Sequence, residues 1–182
     1  MEPASGTKEK AYQLMEANNP NNVRGPADWL NGLSGQDRRW VPYNGAFSAT
    51  QVDWIRREIQ SSDARKEKVI VLSHIALAPG ACAESCLVWN YQEVLEICQK
   101  SESVVLVLAG HDHEGGYVCD EAGVHHVTIA SPLEVVADQL AFGVIDVHQN
   151  RLVIRGTGKV VSRELPFRNN GRLTLVEADA GD

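Results

Sequence analysis

Three of the six histidines sit where an apolar run stops. His74 closes "VIVLSH", and His111 and His113 follow "VVLVLAG" with one residue between them. Neutral imidazole is a ligand for Mn²⁺, Zn²⁺ or Fe²⁺. A loop just past a strand lets residues 111 and 113 reach two neighbouring positions, with Gly110 expected to supply the turn. A lone histidine is ordinarily a satisfied or exposed side chain; three at two strand ends point to metal binding. Asp112 is expected to face away from its flanking histidines and, with Glu114, to be a supporting or solvated group. His125 and His126 alternate along a strand and read as structural, as does His148 near a turn. Cys82 and Cys86 have a gap within zinc-ligand spacing, but no second pair follows, so they read as reduced loop thiols.

The elements that must hold these histidines are legible in outline. Residues 8–17 suit a short helix, and "NNPNNVRGP" reads as loop. Trp29, Trp40 and Tyr43 are expected to pack an irregular stretch against the body. In "SATQVDWIRREIQSS", Ser48 and Gln51 have capping-box spacing, and Val52, Ile55 and Ile59 recur at helical intervals. "KVIVLSH" is a buried strand. Asn90 is expected to cap a helix whose apolar stripe is Val94, Leu95, Ile97 and Cys98. "SVVLVLAGH" and "GVHHVTIAS" are two further strands, and "FGVIDVHQNRLVIRG" is a hairpin turning near Gln149 and Asn150. This order predicts an α/β domain whose sheet begins parallel and ends in a meander. Parallel neighbours bring their carboxyl ends to one edge, which is where His74 and His111 fall.

The chain has 182 residues, enough for one domain with a sizeable core. A net charge of −7 argues against a nucleic-acid or anionic-membrane binder, which needs a cationic face. Phosphate compounds remain accessible if metal ions supply the positive charge. The N-terminal "MEPASGTKEK" has no apolar stretch, no window approaches the roughly 18 apolar residues of a membrane span, and four scattered cysteines suit reduced thiols. The compartment expected is cytoplasmic.

"VIVLSH" and "LAGHDHEGGY" resemble the last two motifs of the calcineurin-like metallophosphoesterases. The stretches "YNGAFSATQVDWI", "SHIALAPGACAESCLVWNYQEVLEI", "GHDHEGGYVCDEAGVHHVTI" and "AFGVIDV" narrow this. They resemble the C-terminal half of the manganese-dependent ADP-ribose/CDP-alcohol diphosphatases, the plant-type members in particular, across most of residues 8–160. The resemblance implies a dinuclear site, with Mn²⁺ the first expectation, that hydrolyses the pyrophosphate bond of ADP-ribose or CDP-choline-like substrates. It implies that His74 and His111 bind one metal and His113 the other. It also implies an αββα fold, two sheets in a sandwich flanked by helices in four layers.

The Asp-x-His or Asp-x-Gln, Gly-Asp and Gly-Asn-His motifs of such a family have no counterpart ahead of the histidines. The expectation is therefore a partial phosphoesterase domain over residues 1–160, lacking the N-terminal half, with a polar tail over 161–182. Three neutral imidazoles without a bridging carboxylate are expected to hold at most one weakly bound ion. No catalytic residue is assigned within the chain. Strands apolar on both faces then predict an exposed apolar sheet face open to self-association or to a complementing chain. Two functional readings follow: the family hydrolase acting on nucleoside diphosphate-linked small molecules, impaired alone, or a non-catalytic truncated paralogue or isoform that keeps a partial metal site and binds a partner. A small zinc-stabilised domain built on Cys82 and Cys86 is a third.

Overall fold

The computed structural model describes residues 5–136, 140–169, 172 and 173. Three helices, α1 (Ser5–Glu16), α2 (Ala49–Arg65) and α3 (Tyr91–Lys100), accompany seven main strands. These are β1 (Val69–Leu72), β2 (Val104–Ala109), β3 (Gly116–Cys119), β4 (His125–Thr128), β5 (Ala141–Val147), β6 (Arg151–Gly158) and β7 (Arg163–Pro166). One sheet has the order β1-β2-β4-β3, and β5-β6-β7 form a second, antiparallel one. β1, β2 and β4 run parallel, while β3 pairs antiparallel with β4. No described helix is long and apolar enough to cross a membrane.

The sequence-local rules explain α2 well. The Ser48 hydroxyl accepts from the Gln51 N–H, and the Gln51 side chain accepts from the Ser48 N–H, so two orphan donors are satisfied reciprocally. The helix ends where Lys66 turns left-handed at φ 56°. Asn90 departs from its expected role. It stands at the N-cap position of α3 but makes no cap hydrogen bond. Its amide instead pairs with both backbone groups of Phe47 (2.9 and 3.0 Å), pinning the loop ahead of α2 to the start of α3.

Two cores lie on opposite sides of the first sheet. Val52 and Ile59 of α2 and Tyr91, Val94 and Cys98 of α3 pack with Val104 and Val107 of β2. On the other side Val105, Leu106 and Val127 meet Leu152, Ile154, Leu165 and Phe167 of the second sheet and its exit. The described residues thus form a helical layer on two sheets. The fourth layer of an αββα sandwich is not among them. Phe142 and Val144, on the face of β5 opposite Ile145, are exposed.

The stretch expected as a polar tail also carries structure. β7 lies inside 161–182, Leu165 is completely buried, and Phe167 and Arg168 are buried beyond it. The Arg168 guanidinium donates to the carbonyls of Cys98, Gln99 and Ala122. A four-residue strand ending in proline has too few apolar positions to announce itself. Residues 170, 171 and 174–182 of that expected tail lie outside the described residues.

Candidate metal centre at two strand ends

The parallel register of β1 and β2 continues past both strands. Leu72 is opposite Leu108, the Ser73 N–H donates to Leu108 O (3.0 Å), and the Gly110 N–H donates to His74 O (3.0 Å). These bonds zip the two strand exits together and set the His74 and His111 rings edge to face, 5.1 Å between centroids at 70°. The expected convergence of His74 and His111 is therefore present. The turn is made differently from expectation: His111 itself adopts φ 69°, and Gly110 is not in the left-handed region. A non-glycine residue held there costs about 1–3 kcal/mol, and here the strain aims the ring. Glycine is required one turn later, where a Cβ on Gly116 would lie 2.4 Å from Ala81 O.

His113 does not join the pair. Its Nδ1 lies 2.7 Å from Glu134 Oε1 on the short 3₁₀ turn Pro132–Glu134, and its ring is largely exposed. The loop is strapped to the end of β4 by the Ser131 N–H on His113 O (3.0 Å). Among the described residues no group of three or more His, Cys, Asp or Glu side chains is placed to hold an ion. The structure thus supplies a two-imidazole pair with a third imidazole beside it, not a three-histidine cage. Cys82 and Cys86 are free thiols, and burial, the main cause, pushes Cys82 up to about 12, away from the thiolate a zinc site needs.

Asp112 faces away from the histidines, as expected, but it is buried rather than solvated. Its carboxylate accepts from the Ala83 N–H (2.6 Å) and the Glu114 N–H (3.1 Å), tying the Cys82–Cys86 loop to the histidine loop. His125 and His126 are both buried in β4, in keeping with a structural role.

A residue absent from the candidates, Asn44, touches the site directly. Its Oδ1 is 2.8 Å from His111 Nε2. Tyr43 beside it is half exposed, its ring centroid 5.9 Å from that of His111. Burial, with His74 and then His113 as neighbouring bases, depresses His111 below the ordinary imidazole value, favouring the neutral form that ligates metals.

The fold is similar to that of a dimetal phosphatase. A dimetal phosphatase from Danio rerio superposes on 92% of the chain with a TM-score of 0.84 and 29% identity, the match covering 53% of that protein. By sequence the chain is a homologue of the manganese-dependent ADP-ribose/CDP-alcohol diphosphatases. It is 39% identical to the Xenopus laevis protein over 160 residues, 37% to that of Oryza sativa subsp. japonica over 158, and 33% to the human protein over 169. Those matches cover 87%, 87% and 92% of this chain and 43%, 48% and 48% of the relatives, so the chain spans about half the length of the proteins it matches. No protein-family model matches the chain.

Proposed function

We propose that the chain furnishes the histidine side of a manganese-dependent site that hydrolyses the pyrophosphate bond of ADP-ribose and of CDP-alcohols such as CDP-choline. The observation that carries this reading is the zipping of the β1 and β2 exits, which sets two imidazoles in contact at the sheet edge. His74 and His111 would offer ring nitrogens to one ion. His113, with Nδ1 engaged by Glu134, keeps Nε2 for a second position. Divalent ions bound there supply the charge that holds phosphate oxygens and lowers the pKa of a bound water.

The described residues fit only one side of such a centre. Two divalent ions about 4 Å apart repel by about 16 kcal/mol at an effective dielectric of about 20, so a bridging anion is required. The nearby carboxylates are spent elsewhere: Asp112 on two N–H groups, Glu134 on His113, and Glu114 on Lys159 (3.2 Å). The reading therefore calls for carboxylate ligands from polypeptide outside the described residues, in this chain or another. We assign their docking to β1 and to the exposed face of β5, outer strands of their sheets among the described residues, where Leu72, Phe142 and Val144 are exposed. The absence of a three-ligand cluster among the described residues favours a second reading, a non-catalytic chain that uses those strands to bind a partner.

Hydrolysis of ADP-ribose and CDP-choline with Mn²⁺ separates the two. The purified chain is assayed alone and mixed with the half of the frog diphosphatase that it does not match. The hydrolase reading expects turnover in the mixture and its loss in a His74→Ala, His111→Ala double variant. A mixture that forms a stable complex yet turns over no faster than the double variant favours the non-catalytic reading.

A further inference from the structure

We propose that Asn44 is a positioning residue for this site, fixing the neutral His111 ring in the tautomer that carries its proton on Nε2 and so keeping the Nδ1 lone pair free for an ion. Its consequence for metal binding rests on the reading of His111 as a ligand; the tautomer itself is a property of the metal-free chain.

The geometry leaves little choice. Asn44 is buried, and its Nδ2 donates to two backbone carbonyls, Arg39 O at 2.8 Å and Ser85 O at 2.7 Å. A carbonyl oxygen only accepts, so turning the amide over would set its own oxygen against both. The nitrogen must face Arg39 and Ser85, and Oδ1 must face His111. That oxygen also only accepts, so His111 Nε2, 2.8 Å away, must be the donor. A neutral imidazole has one N–H, and spending it on Asn44 leaves Nδ1 unprotonated.

The clasp is itself held rigidly. The Asn44 N–H donates to Val41 O (3.1 Å) in a turn whose Val41 is fully buried. The preceding Arg39 is clamped between the Trp40 and Tyr91 rings, and its Nε donates to Trp89 O (2.8 Å). Asn44 therefore links the 3₁₀ turn Gly35–Arg39, the Cys82–Cys86 loop and the β2 exit through one amide. A purely structural tie would need the two donations but would not need Oδ1 to choose a nitrogen on His111. Outer partners that fix the tautomer of a ligating histidine typically hold about 10–100-fold in metal affinity.

Long-range ¹H–¹⁵N correlation spectra of the metal-free chain test this, with the His111 signals assigned by their loss in His111→Ala. The wild-type chain should show a protonated, pyrrole-type Nε2 and a pyridine-type Nδ1. Asn44→Ala should lose that single signature and bind Mn²⁺ about 10–100-fold more weakly. A pyrrole-type Nδ1 in the wild-type chain, which requires no variant to fold, overturns the proposal. So does an unchanged signature in a folded Asn44→Ala chain. The expected tautomer together with no Mn²⁺ binding in the wild type sustains the positioning role and sinks the metal reading instead.

Discussion

His125 makes the case at the scale of a single residue. It follows the paired site histidines in the chain and looks alike in sequence, yet β4 spends it inside the molecule. Its Nε2 donates to Pro166 O (2.9 Å) and its Nδ1 pairs with the Tyr117 hydroxyl (3.0 Å). Burial is the main cause that depresses it below 6.5. The folded state then binds this proton less readily than the unfolded chain does. Its contribution to stability is complete above pH 6.5 and is lost as the pH falls below that value, by at most about 1.4 kcal/mol per pH unit for one group. Thermal unfolding of wild type and His125→Gln between pH 7.5 and 5 reads this directly: the wild type should lose stability more steeply on acidification. Parallel slopes would mean that His125 protonates freely in the folded chain. The meeting of His74 with His111 was legible in sequence, because each ends an apolar run and parallel neighbours share an edge. Asn44 was not: it lies 67 residues from His111 in a loop with no periodicity, and only the folded path brings them together.

Elements were readable where periodicity or capping marked them and unreadable where they were short. α2 had both signals, and its capping box forms as the spacing predicts. β3 follows directly on Gly115 and is four residues long, so nothing but pairing with β4 defines it. β7 escaped for the same reason, although it closes the core between the sheets. Its Leu165 packs among Val105, Leu106, Leu152 and Ile154. Leu165→Ala should cost about 2–5 kcal/mol, the range for emptying a large side chain from a core, as measured by urea denaturation. A loss below about 1 kcal/mol would mean that the segment after Gly158 is an appendage, as a polar tail would be.

At the scale of the molecule, the described residues form a helical layer on two main sheets, with β1 and β5 each an outer strand of its sheet among those residues. Outer strands with exposed apolar side chains invite pairing, and few charges guard these: Lys68 precedes β1, while Asp146 on β5 is engaged by Arg155. His74 and His111 converge because β1 and β2 pair in parallel up to their exits, and among the described residues no cluster of three or more His, Cys, Asp or Glu side chains is placed to hold an ion. The fold class was legible in the order of strands and helices, and the grouping of His74 with His111 apart from His113 was an expectation of the family resemblance; the left-handed turn at His111 was not legible, because nothing in the residue types around Gly110 favours His111 over the glycine for it. The proposal is that His74 and His111 form the imidazole side of a metal centre whose carboxylate ligands lie outside the described residues. Counting Mn²⁺ bound per chain by calorimetry, with His111→Ala beside the wild type, tests that most directly. The account predicts at most one ion, held weakly and lost in the variant. Two tightly held ions per chain, or binding that His111→Ala leaves unchanged, would contradict it.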